Sequence, residues 1–417
     1  MRPTRHWPRS IEKVKDMVML QSPRSRAFVS STFGLLPAII QCRIDPGSRK
    51  PSRPVGKTSY LDGIRGLAAL GVVVLHMVLG FFPNSSYAYN GSEGRDSIFQ
   101  LPFFRLLYSG QPTIFFFISG YVLSLGTIKK CRSQSWGSLQ LDLSSKIFRR
   151  LFRLYIPSII ATFIPMFMLW TIPVEFRCSM VLFLIHAAFA RCSSKTRLIF
   201  NGLLSLYFLT FEKWDVFLFL AGSFIAELDI IKDDAAEGQL PKHEIADTKF
   251  RSVAHFTPPT WFMVASMILG LWILSVPAAD IWNAWSFAVL EWYAPRTYTA
   301  YFRFWDSVGT VILIWAITGL PSVQRFFTRP IFLYLGNLSF SLYLTHTIVL
   351  KFLLYPLMPW LYAIFGYQTT FQYGLTFALG GLATVMLSLW VAEVFQRHVE
   401  EPSVAFTKWL DVQCSST

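Results

Sequence analysis

"YLDGIRGLAALGVVVLH", residues 60–76, opens on an acid and a base and ends on a histidine, with only glycine and aliphatic side chains between Arg65 and His76. In an α-helix the eleven steps from Arg65 to His76 turn through about 1100°, three turns and roughly 20°, and rise about 16 Å. The two side chains therefore leave nearly the same face. Asp62, three residues before Arg65, stands one turn earlier on that face. A hydrocarbon core about 30 Å thick takes about 20 apolar residues as a helix, and this run is long enough. A polar stripe turned towards lipid would cost several kcal/mol, so it must face a cavity or another helix. Ionisable groups inside a membrane are read first as functional; a hydrogen-bonded histidine that packs helices together is the alternative.

The rest of the chain fits a membrane. Of its 417 residues 53% are hydrophobic and only 15% charged, whereas soluble domains carry about 45–50% and about 25%. Apolar runs predict spans over 63–82, 110–127, 154–172, 174–191, 197–211, 214–230, 260–278, 305–320, 331–355 and 371–394. The expected fold class is all-α, a polytopic transmembrane helical bundle of about ten spans. Residues 1–59 read as a disordered cytosolic tail, 60–402 as the membrane-embedded domain and 403–417 as a second cytosolic tail. The late apolar stretch "FGLLPAIIQC" lies too far in for a cleavable signal peptide.

A net charge of +14 could suggest nucleic acid, but the basic residues gather beside spans. Twelve Lys or Arg precede Tyr60 against three acids, and seven lie from Lys129 to Arg153 against one. That is the positive-inside pattern, which anionic lipid and topology explain without nucleic acid. With the N-terminus cytosolic, 128–153 and 321–330 form basic cytosolic loops, and ten spans return the C-terminus to the same side. The opposite loops are poor in bases and hold the sequons Asn84-Ser85-Ser86 and Asn90-Gly91-Ser92, which lumenal exposure would permit. The expected location is the endoplasmic reticulum or another endomembrane. Five cysteines show neither a CxxC pair nor metal spacing, and no metal is expected.

The ninth span offers a second polar face, "LGNLSFSLYLTHTIVL" (335–350), with Asn337, Ser339, Ser341, Thr345 and His346 in one helix. His346 falls near the same depth as His76, so the two can converge on one cavity; bonding between helices is the ordinary role of the Ser and Asn side chains. Arg149, Arg150 and Arg153, in "SSKIFRRLFRLYIP", stand at the cytosolic mouth of the third span. Arginine clusters bind phosphates and equally serve as topology signals and lipid anchors. Glu175, in "LWTIPVEFRCSM", is expected at the opposite membrane edge, where a pair with Arg177 would be purely structural.

Together these stretches resemble the acyltransferase 3 family of integral-membrane acyltransferases. "YLDGIRGLAALGVVVLH" looks like its first-span signature, followed in order by "FFFISGYVLS" (115–124), "RRLFRLYIP" (149–157), "LWTIPVEFRCSM" (169–180) and "LGNLSFSLYLTH" (335–346). The form "LWTIPVEF" is most similar to the fungal branch. The resemblance, over about residues 58–402, implies transfer of an acyl group, by default acetyl, from acyl-CoA to a hydroxyl. Acyl-CoA would be a co-substrate, with no bound cofactor. The resemblance assigns catalytic roles to Arg65 and His76, the arginine motif to Arg150 and Arg153, the motif acid to Glu175 and the later histidine to His346. The fungal likeness points to a lipophilic acceptor such as a secondary-metabolite alcohol. Only eleven residues, Ser158 to Met168, separate "RLYIP" from "LWTIPVE", fewer than family members usually carry.

Bottom-up chemistry gives these residues a consistent use. His76 would take the hydroxyl proton as general base, or act as a nucleophile through an acyl-histidine. Arg65 and the basic loop would hold CoA phosphates, with Asp62 orienting Arg65. A transporter is the competing class; it predicts related repeats with broken helices, and no convincing repeat is present. An inactive family member, given the short 158–168 segment, is the third reading.

Overall fold

A computed structural model describes residues 54–162, 170–284 and 286–414. They are helical, with no strand among the described residues. The principal helices are α1 (Ser59–Phe81), α2 (Gln111–Arg132), α3 (Trp136–Thr162), α4 (Thr171–Ala188), α5 (Ser194–Thr210), α6 (Trp214–Ala236), α7 (Thr260–Leu274), α8 (Tyr301–Thr318), α9 (Pro330–Val349), α10 (Tyr355–Phe365), α11 (Thr370–Phe395) and α12 (Glu401–Cys414). A single turn of π-helix joins α9 to α10 at Leu350–Leu354, and another joins α11 to α12 at Gln396–Glu400.

Local sequence sets several boundaries. Gly110 adopts a left-handed conformation (φ 69°) and Pro112 follows in the first turn of α2, where a missing N–H costs nothing. Thr369 and Gln372 form a reciprocal capping box at the start of α11: the Gln372 N–H donates to the threonine hydroxyl (3.2 Å), and the Thr369 N–H donates to the glutamine carbonyl (3.1 Å).

Two close helix crossings build the core. At the first, a Cβ on Gly66 of α1 would lie 2.2 Å from the Gly336 nitrogen of α9, and one on Gly336 would lie 2.3 Å from the Asp62 carbonyl. At the second, a Cβ on Gly120 of α2 would meet the Phe219 carbonyl of α6 at 2.2 Å, and one on Gly222 the Phe117 carbonyl at 2.3 Å. Lipid tails are as apolar as leucine, so helices in a membrane gain from close backbone contact, and small residues permit it. The first crossing brings the 60–76 stretch against the 335–346 stretch. Phe116, Phe117, Phe219 and Leu218 fill the core beside the second.

The chain is a membrane protein by its apolar helices. Among the described residues, five helical segments are long and apolar enough to cross a bilayer: Ser59–Phe81, Gln111–Arg132, Thr171–Ala188, Pro330–Phe365 and Thr370–Cys414. Tyr301–Thr318 with Pro321–Phe327, bent by 103°, makes a sixth if the pair is one span. The expected ten is not reached by this measure for physical reasons. Helix α5 has 17 residues and α7 has 15, while α6 carries Asp215, Glu227, Asp229 and Lys232. The predicted span 154–172 covers the end of α3, residues 163–169 outside the described part, and the start of α4. Most of the short 158–168 segment is thus also outside it, as are residues 1–53 of the N-terminal tail.

The basic loop expected over 128–153 is instead almost entirely helix, since α2 runs to Arg132 and α3 starts at Trp136. Leu139 and Leu143, one turn apart, are buried against Cys131 and Phe183. Asp142 takes Lys146 (2.7 Å) and Lys130 (3.2 Å), which relieves the repulsion among the bases. Residues 403–414, expected as part of a tail, continue α12, which packs along α3: the Ser145 hydroxyl donates to Asp411 at 2.6 Å.

Candidate active site

The α1–α9 crossing places the two histidines face to face. The rings of His76 and His346 stack with centroids 5.2 Å apart and planes 24° from parallel. His346 is 1% exposed. Its Nδ1 lies 2.7 Å from the Tyr343 carbonyl; a carbonyl only accepts, so Nδ1 carries the proton and a neutral ring keeps its lone pair on Nε2. That Nε2 is buried with no hydrogen-bond partner among the described residues. The turn of π-helix begins four residues later, at Leu350, and such turns recur at functional sites.

Towards the Ser59 end of α1 the same face opens into a cavity of about 190 Å³. Arg65 anchors one wall. Its guanidinium donates to the Ser339 hydroxyl (2.9 Å) and the Gly336 carbonyl (3.1 Å), and pairs with Asp62 (3.0 Å). Across the cavity Arg150 pairs with Glu175 at 2.6 Å and donates to Ser179 at 3.1 Å; the Ser119 hydroxyl donates to the same carboxylate oxygen at 2.9 Å. Arg153 also lines the cavity, and it makes no ion pair among the described residues. Two guanidinia are thus neutralised in place by Asp62 and Glu175, and the third is available to an anion.

Not every expectation survives. Glu175 does not pair with Arg177, which reaches Asp215 of α6 instead. Nor does Glu175 sit at the far membrane edge from Arg150: the two touch, because Arg150 lies in the middle of α3 rather than at its mouth. Arg149, next to Arg150 but turned by about 100°, leaves the cavity for Asp411 at 3.4 Å. Asp62 stays largely exposed and acts on Arg65 from outside.

The cavity also recruits groups that the sequence reading passed over. Glu400 enters from the π-turn after α11 and accepts a hydrogen bond from Ser341 at 2.5 Å. Tyr343 lines the wall and its hydroxyl accepts from Thr171 at 2.6 Å. An acid just past a long apolar span, as in "QRHVEEP" (396–402), was the available signal for Glu400.

An acyltransferase domain profile matches residues 58–168, which hold Arg65, His76, Arg150 and Arg153. Over a longer span, the chain is 28% identical to O-acetyltransferase PaAT-1 of Phomopsis amygdali, over 84% of each chain. It is 21% identical to Acyltransferase R4 of a Phoma species, over 84% of this chain and 95% of that one. Acyltransferase clz18 of Cochliobolus lunatus is 22% identical, over 84% and 94%.

The chain carries an acyltransferase domain and is similar over most of its length to fungal acyltransferases.

The alignments run over 430 to 451 positions while the acyltransferase has 417 residues, so its fungal relatives carry internal segments that it lacks. No solved structure matches it. The matched segment contributes one ring of the histidine pair and the arginines of the cavity, while the partner ring comes from α9.

Proposed function

We propose that the protein moves an acetyl group from acetyl-CoA to a hydroxyl of a small lipophilic acceptor, with His76 as general base. The observation that carries the reading is the stacked histidine pair, one helical turn beyond Val72 and Tyr343, which line the cavity that holds Arg65, Arg150 and Arg153. The rise from Arg65 to His76 is about 16 Å along α1, a length that an extended pantetheine arm spans. CoA phosphates at Arg153, with Arg150 and Arg65 behind it, would direct the thioester towards the rings. The name of the Phomopsis relative, an O-acetyltransferase, supports acetyl as the group and oxygen as the acceptor atom.

In the reaction, the neutral imidazole of His76 takes the proton of the acceptor hydroxyl while its oxygen attacks the thioester carbonyl. The tetrahedral intermediate collapses, the C–S bond breaks, and the imidazolium returns the proton to the CoA thiolate. An ester and free CoA result, with no redox partner. Positioned proton transfer of this kind contributes typically about 10²–10⁴-fold. His346, its Nδ1–H committed to the Tyr343 carbonyl, presents a fixed flat face and a free Nε2 beside the base. The acceptor in this reading is a secondary-metabolite alcohol, and an endomembrane location with both termini cytosolic accommodates cytosolic acetyl-CoA.

The test is acetyl-CoA-dependent ester formation by the full-length protein in lipid nanodiscs, using as acceptor source the organic extract of a strain lacking the gene. A product heavier by one acetyl group is expected. Free CoA without any ester, or transport of an extract component without CoA release, overturns the reading.

A further inference from the structure

A second cavity, of about 340 Å³, lies towards the Phe81 end of α1 and contains a carboxylate with nothing to do. Asp306, on α8, is 8% exposed and lines this cavity, and its Oδ1 has no hydrogen-bond partner among the described residues. A buried carboxyl group whose oxygen has no partner is costly, and a hydrogen-bond donor entering the cavity would relieve that cost. The two arginines on the same wall do not relieve it. Arg105 spends its guanidinium on the carbonyls of Tyr87 (2.8 Å), Gln100 (3.0 Å) and Ser275 (3.4 Å). Arg303 lies over the rings of Trp214 and Trp170, 5.3 and 5.8 Å from their centroids.

This cavity is contiguous with the catalytic face. Val72 lines the arginine cavity, and Leu75 and Leu79 line the second one. With His76 they stand at i, i+3, i+4 and i+7, one face of α1, so His76 lies between the two walls. Pro112, in the first turn of α2, lines both cavities.

We propose that the second cavity receives the acyl acceptor and that Asp306 accepts a hydrogen bond from a hydroxyl on it; this rests on the acyl-transfer reading above. The lining is mostly apolar, with Leu75, Leu79, Trp170, Trp214 and Phe302, which suits a lipophilic skeleton. Arg105 and Arg303 already place positive charge nearby, which favours a neutral donor at Asp306 over a third cation. His76 is not part of that wall, so the hydroxyl at Asp306 is separate from the one acylated. The occupant is a lipophilic diol or polyol, entering from the side opposite the arginine cavity. A cavity of this size lies within the range of ligand sites, about 300–1,000 Å³.

The test separates acceptor from donor. Full-length protein in nanodiscs is assayed for binding of radiolabelled acetyl-CoA and for labelled ester formation against increasing extract of the strain lacking the gene. For Asp306→Ala the half-saturating extract concentration should rise about tenfold or more, because a lost hydrogen bond to a charged group is worth about 1.5–3 kcal/mol. Asp306→Asn, which keeps an accepting oxygen, should rise less. Acetyl-CoA binding and the maximal rate should stay near wild type in both. Should these variants not fold, Ala278→Trp, which fills the exposed mouth of the cavity, should raise the same concentration. Unchanged half-saturation in a folded Asp306→Ala or in Ala278→Trp overturns the acceptor cavity alone, as does an equal loss of acetyl-CoA binding. A wild-type protein that binds no acetyl-CoA overturns the acyl-transfer reading and this assignment with it.

Discussion

His76 and His346 come from helices far apart in the sequence, yet their rings stack at 5.2 Å. The contact follows from the glycine crossing of α1 with α9, where Gly66 and Gly336 let the backbones touch. One ring is fixed: His346 donates from Nδ1 to its own helix at Tyr343 and is almost fully buried. The other is held by stacking alone, with no hydrogen bond among the described residues, and is partly open. A base that must collect a proton from a substrate needs that freedom.

His76→Ala should therefore reduce ester formation by about 10²–10⁴-fold while expression and thermal unfolding stay near wild type. Because the base must be neutral, the wild-type rate should climb with pH as the imidazole loses its proton and then level off. The residual rate of His76→Ala should lack that limb. A variant with full activity, or one that keeps the pH limb, removes His76 from the chemistry.

Arg153 is the cavity guanidinium without an ion pair among the described residues, so it should carry the phosphate contact. Arg153→Ala should raise the KM for acetyl-CoA on the order of tenfold, the worth of one charge-assisted hydrogen bond, with kcat little changed. S-acetylpantetheine, which lacks the phosphates, should be used equally well by wild type and variant. Arg149→Ala makes the comparison, since Arg149 faces Asp411 instead. If Arg149→Ala raises the KM and Arg153→Ala does not, the phosphate site has been misplaced.

The helical class and the first polar face could be read before any coordinates, because Arg65 and His76 belong to one uninterrupted helix whose period fixes their directions. His346 was reachable by the same route, from depth along a second span. What could not be read was everything set by which helices touch. Glu175 next to Arg177 in sequence suggests a local pair, yet α3 and α4 pack so that Arg150 takes the carboxylate and Arg177 goes to α6. Arg149 and Arg150 are chemically equivalent in the sequence and are separated only by rotation on α3. Asp306 was visible as a lone acid in "FWDSVGTVILIWAITGL" (304–320) and was passed over, although an ionisable group in an apolar run is itself a signal.

The segment between α1 and α2 tests the orientation. Asn90 is exposed there, in the sequon Asn90-Gly91-Ser92, at the end of α1 opposite Arg65. With the N-terminus cytosolic, this end faces the lumen, and expression in a eukaryotic host should give a glycan removable by endoglycosidase and lost in Asn90→Gln. A cysteine placed at the same site that reacts with an impermeant thiol reagent only from the cytosolic side would reverse the orientation, and with it the side from which acetyl-CoA enters.

The α1–α9 crossing should be the most sensitive point of the framework. A Cβ on Gly336 would sit 2.3 Å from the Asp62 carbonyl, which is backbone and has no rotamer to escape into. Gly336→Leu must therefore push the helices apart, and overpacking of this kind costs typically about 1–3 kcal/mol. The same displacement carries Ser339 and the Gly336 carbonyl away from Arg65, which they now hold at 2.9 and 3.1 Å, and unstacks His346 from His76. Ester formation should thus fall well below wild type even at temperatures where the variant remains folded by thermal unfolding. Gly137→Ala in the first turn of α3 supplies the contrast, because a Cβ there meets nothing within 4 Å. It should be neutral or stabilising with activity intact. If Gly336→Leu is folded and fully active, the close crossing is not what aligns the two histidines.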